Sequence, residues 1–98
     1  MMLGRIIGRV FTNNFKFVVE GNAKKFQYVQ VLSKDNDYVL SQIIEVEKDM
    51  RESIAYCNII GYRDKQGVLR PLTIPLDPGA EVLLAEDDFI KKTLGLEE

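Results

Sequence analysis

Histidine is absent from the 98-residue chain, cysteine occurs once and proline three times. Without histidine the chain lacks the commonest general base and the commonest metal ligand. A single thiol, Cys57, forms no internal disulfide and builds no zinc site, which fits a reducing compartment. It falls mid-strand between Tyr56 and Asn58, with no imidazole to activate it, and reads as an inert core thiol. No Gly-x4-Gly-Lys-Ser/Thr loop is present, so this chain alone is not expected to hydrolyse nucleotides. No apolar run approaches the roughly 20 residues that span a bilayer. The apolar stretch from Met1 to Phe11 is interrupted by Arg5 and Arg9 and has no small-residue cleavage site, so no signal peptide is read. The expected location is cytoplasmic, with no membrane partner. Enzyme is the weakest class, with no catalytic, cofactor-binding or metal-binding residue expected.

What is present is an ordinary globular composition, 46% hydrophobic and 29% charged, sized for one domain over residues 1–98. The net charge of -2 gives no bulk reason for binding nucleic acid non-specifically. The charge is uneven, however. Residues 1–25 carry +4, with Arg5, Arg9, Lys16, Lys24 and Lys25 against Glu20, and residues 80–98 carry -4. Opposite signs at the two ends suit head-to-tail contact between copies; the plainer reading is a solvated surface.

All three prolines lie in the stretch from Leu69 to Gly79. Each fixes φ and removes a backbone donor, so Arg70 to Gly79 is not a central strand. It reads as a stiff crossover ending in the Pro78-Gly79 turn, delivering a last strand from Val82 to Ala85. Upstream, apolar alternation predicts strands over Leu3–Phe11, Phe15–Glu20, Phe26–Leu32, Tyr38–Glu47 and Ile54–Tyr62. Thr12-Asn13-Asn14, Ser33 to Asp37 and Asp64 to Gly67 are turns between them. In the fourth strand Leu40, Ile44 and Val46 are assigned to one face, Val39 and Ile43 to the other. A helix over about 86–94 opens on Glu86-Asp87-Asp88, closes on Lys91-Lys92 as the macrodipole prefers, and meets Gly95 as its cap. The acidic trio serves that dipole better than a metal, because consecutive helix residues diverge. The fold class is therefore mainly β: a small closed or partly open β-barrel of about six strands within 3–85 and a short C-terminal helix. A sandwich is the second choice.

Two surfaces stand out. Phe26 and Tyr28, flanked by Lys24 and Lys25, resemble the stacking face of an oligonucleotide-binding barrel, though aromatics in a small barrel more often serve the core. For protein contact the turns are the candidates: Thr12, Asn13 and Asn14; Lys24 and Lys25; Asp64, Lys65 and Gln66.

Taken together, Gly4 to Val10, Tyr38-Val-Leu-Ser-Gln-Ile-Ile-Glu-Val-Glu, Ile60-Gly-Tyr-Arg-Asp, Leu69-Arg-Pro, Pro75-Leu-Asp-Pro-Gly and Ala85-Glu-Asp-Asp-Phe-Ile-Lys-Lys-Thr-Leu-Gly-Leu resemble the HAS-barrel. That is the N-terminal module of HerA-type archaeal DNA helicases, related to the N-terminal barrels of ATP synthase catalytic subunits. The resemblance covers nearly the whole chain. It implies a non-catalytic barrel within a longer protein that forms hexameric rings and translocates DNA, with ATP and Mg bound only by a following ATPase domain. It further implies ring assembly and docking of a NurA-like nuclease in DNA end resection and repair. The chain departs from the pattern at Ser41, where glycine is expected, and at Glu98, where the family continues toward its phosphate-binding loop. That end fits either a piece of a longer protein or a free-standing oligonucleotide-binding or adaptor barrel.

Overall fold

A computed structural model describes residues 1–35 and 37–96. Asn36 of the predicted turn, and Glu97 and Glu98 of the acidic end, lie outside the described residues. Among the described residues seven strands and one helix follow in order: β1 Met2–Ile7, β2 Asn14–Val19, β3 Tyr28–Leu32, β4 Tyr38–Lys48, β5 Ser53–Arg63, β6 Leu69–Arg70, β7 Glu81–Leu84 and α1 Asp87–Leu94. All pairings are antiparallel. The order β2-β1-β7-β3-β4-β5, with β5 also pairing back to β2, closes six strands into a barrel. The seventh, β6, adds only to the end of β5, where Tyr62 faces Arg70 and Arg63 faces Leu69. Closure removes the open edges that an antiparallel sheet otherwise presents.

Alternation decides which side chains fill the interior. Phe15 and Phe17 of β2, Val29 and Val31 of β3, Val39 and Ile43 of β4, Ala55 and Cys57 of β5, and Val82 of β7 form one buried cluster. It is joined by Leu3 and Ile6 of β1, where an irregularity between Met2 and Gly4 interrupts the alternation. Each large side chain so buried contributes about 1.5–3 kcal/mol of transfer free energy. The proline-bearing crossover takes part as well. Leu76 is buried in the same cluster, and Leu72 and Ala80 pack against it. The stiff segment therefore delivers β7 and also closes the end of the barrel at which β1, β3 and β5 finish.

Three expectations are corrected and one short strand is added. β1 ends at Ile7 rather than Phe11, because Gly8 takes φ 67° and turns the chain out of the sheet. The third strand begins at Tyr28, since Phe26 adopts φ 76° and stands in the preceding loop. The face assignment of β4 fails beyond Ile43. A bulge lets Ile43 face Cys57 while Glu45 faces Tyr56, and the extra residue reverses the alternation. Val46 thus packs against the core, opposite Ala55, while Ile44 is left exposed. The short strand β6 was not anticipated at all.

The helix follows its predicted chemistry closely. Glu86 is the N-cap, Asp87 and Asp88 occupy the first turn, and Lys91 and Lys92 the last. Gly95 is left-handed at φ 75°, and its N–H donates to the Lys92 carbonyl while that of Leu96 reaches Lys91 at 2.8 Å. This satisfies carbonyls that a helix end otherwise orphans. The helix lies across the outside of the barrel. The Glu86 N–H donates to Gln30 Oε1 on β3 at 3.3 Å, and Phe89 meets the Tyr38 ring on β4 edge-on at 6.1 Å. Arg63 of β5 donates to the Thr93 carbonyl at 2.9 Å.

Candidate functional site

The contact candidates divide between the two ends of the barrel. With β1, β3 and β5 running one way and their partners the other, the β1–β2 loop and the β5–β6 turn share an end. Thr12, Asn13 and Asn14 therefore lie at the same end as Asp64, Lys65 and Gln66, and Lys24 and Lys25 lie at the opposite one.

Several of these residues are engaged with their own surroundings. The Asn13 carbonyl accepts the Ile59 N–H at 2.9 Å, and Asn14 donates its Nδ2 to Asn13 Oδ1 at 2.7 Å. Asp64 organises its turn: Oδ1 accepts the N–H groups of Gln66 and Val68, both at 2.9 Å, and Oδ2 accepts Arg70 Nε at 2.8 Å. The Arg70 guanidinium, followed by the Val68 amide, holds the Asp64 carboxyl below the usual carboxylate range. Lys25 sits 3.5 Å from Glu45 and 5.2 Å above the Phe26 ring, and the Lys24 N–H is held by Gln27 Oε1 at 2.7 Å. Thr12, Lys65 and Gln66 are exposed. Phe26 and Tyr28 do not share a strand face, because Phe26 precedes β3 in its left-handed conformation.

A second surface was missed from the sequence. An open groove of about 580 Å³ runs along the outer face of β2, β5 and β4, beneath the loop that follows β1. Phe11, Ile44 and Tyr56 give it apolar walls, Arg9 and Lys16 bring positive charge, and Asn14 and Asn58 supply amides. The facing pairs Asn14–Asn58 and Lys16–Tyr56 are set by the β2–β5 register. Neither Arg9 nor Lys16 has an ion-pair partner among the described residues. Glu47 borders the groove by accepting the Tyr56 hydroxyl at 3.0 Å, which pushes the phenol pKa up. The hidden signal was the early end of β1: with Phe11 in a loop rather than a strand, Arg9 and Phe11 are free to fold over β2.

The interior offers little chemistry. Cys57 is 1% exposed, and burial pushes its thiol up to about 12; the thiolate is the reactive form, so the group is held inert. No cluster of three or more His, Cys, Asp or Glu side chains with metal-binding geometry occurs among the described residues. Ser41 points inward from β4, fully buried, with no hydrogen-bond partner for its Oγ among the described residues.

The fold is a small closed β-barrel that presents an open groove and exposed loops on its outside. Compared with models of known protein families and with curated proteins, the chain matches none.

Proposed function

We propose that this barrel is a non-catalytic N-terminal module of a HerA-like hexameric DNA translocase, serving ring assembly and the docking of a NurA-like nuclease. One observation carries the reading. The segment with the most specific resemblance, from the Pro78-Gly79 turn to Leu96, folds together with the end of the crossover before it as one working unit. Leu76 plugs the barrel end, β7 fills the last place between β1 and β3, and the acidic helix start leads to a glycine-capped helix. Such a unit builds a rigid platform whose loops and groove face outward, which suits assembly and coupling. ATP hydrolysis and DNA translocation belong to a following domain, and this module meets DNA only through the assembled complex.

The test is to read the source gene past codon 98. A frame that continues into Gly-x4-Gly-Lys-Ser/Thr within about a hundred codons supports the translocase module. A stop directly after Glu98 removes it and leaves an adaptor or oligonucleotide-binding barrel.

A further inference from the structure

We propose that the groove over the β2–β5 seam receives the acidic helix-start face of a second copy of this chain, so that copies associate head to tail. The proposal deepens the assembly role above and rests on it only in expecting copies to meet.

The groove asks for an acidic partner with apolar side chains. Phe11 is 52% and Ile44 39% exposed, and both line the same groove, so their apolar surface is contiguous there. Arg9 and Lys16 supply positive charge without an intramolecular counterion among the described residues. The chain itself carries the complement. Glu86, Asp87 and Asp88 are exposed at the start of α1 and also lack ion pairs among the described residues. Beside them, the outer face of β3 and β7 presents Leu32, 46% exposed, and the half-buried Leu83.

The placement of these two surfaces decides the kind of association. Around the barrel the strands run β1, β2, β5, β4, β3, β7 and back to β1. The β2–β5 seam therefore lies directly across from the β3–β7 seam, where the Glu86 N–H is anchored on Gln30. A surface and its complement on opposite sides cannot both be satisfied in a two-fold dimer. They make a heterologous contact, which propagates until a ring closes or a filament forms. The apolar strips supply the affinity, and the charges set orientation and make it salt-sensitive.

The test uses the chain itself in sedimentation at low salt, up to millimolar concentration, with two variants checked for native amide spectra. Arg9→Glu/Lys16→Glu spoils the groove and leaves the helix face; Asp87→Asn/Asp88→Asn weakens the helix face and leaves the groove. Each alone is expected to associate at least about tenfold more weakly than the parent. Their mixture restores one intact contact, so it forms a one-to-one pair and nothing larger. Phe11→Ser, a loop substitution that spares the charges, also weakens association. The proposal is overturned if the parent chain stays monomeric throughout, if the single variants associate like the parent, or if the mixture yields no pair. It is equally overturned if the groove binds an oligothymidylate, losing it in Arg9→Glu/Lys16→Glu while self-association is unchanged. A gene that stops after codon 98, together with a pair in the mixture, would sink the translocase reading and leave this one standing; an ATPase frame with no pair would do the reverse.

Discussion

Arg63 on β5 donates its Nε–H to the carbonyl oxygen of Thr93 at 2.9 Å, across thirty positions of sequence. Its Nη1 reaches the Gly67 carbonyl at 3.0 Å. One guanidinium thus ties the last turn of α1 to the β5–β6 turn; the bond to Thr93 is partly buried and the one to Gly67 exposed, so the first carries more of the energy.

Arg63→Ala is expected to cost about 2 kcal/mol. Arg63→Lys should recover little of it, because an ammonium does not reproduce the forked geometry. The urea midpoint measures the cost. Faster amide exchange at Gly95 and Leu96, with β1 and β2 unaffected, would locate it at the end of the helix.

Ser41→Ala is expected to stabilise the barrel by about 1 kcal/mol. The substitution removes a buried hydroxyl with no partner, whose desolvation is uncompensated, and leaves a methyl of nearly the same shape. Thermal or urea unfolding checks it; a loss of stability would mean that the hydroxyl serves the interior.

Asp64 makes the β5–β6 turn acid-sensitive. Its carboxyl is held lower in the folded protein than in the unfolded chain, chiefly by Arg70. Its contribution is therefore complete above the unfolded value of about 3.9 and is lost as pH falls through the depressed folded value. A side-chain carboxyl titration by NMR should show a midpoint below the ordinary range. Asp64→Asn should abolish this acid limb and deprotect the Gln66 and Val68 amides at neutral pH.

Cys57 should resist thiol reagents while the barrel is closed. With its pKa raised to about 12 and its side chain in the core, labelling at pH 8 is expected to be at least about a thousandfold slower than in urea. A native rate near that of a free thiol would mean that β5 opens far more readily than its position between β2 and β4 implies.

Much of the barrel was legible because its strands obey simple alternation. Phe15 and Phe17, Val29 and Val31, and the proline-bearing crossover all behave as their spacing predicts. The helix was legible from chemistry at its two ends, with acids first, lysines last and a left-handed glycine after them. What escaped depended on single backbone events that alternation does not register. The bulge after Ile43 reversed the faces of β4, and the turn at Gly8 moved Arg9 and Phe11 from a strand to the rim of a groove. Of the candidate contacts, Asp64 accepts the Gln66 and Val68 amides and the Arg70 guanidinium, and the Asn13 carbonyl accepts the Ile59 N–H. That use depends on distant partners such as Arg70 and Ile59, and a list of turn residues cannot disclose it.

The place of β7 has a consequence for how the chain is made. It is the strand that joins β1 to β3, yet it is the last of the seven to leave a ribosome. Until Glu81 to Leu84 emerge, β1 and β3 each keep a row of unpaired amides and carbonyls, and the interior has a slot open to water. A nascent chain that stalls before that point carries two templates for pairing with its neighbours. The interval between the emergence of β5 and that of Glu81 to Leu84 is thus the one in which the protein is most exposed to aggregation, and chaperone capture should peak there.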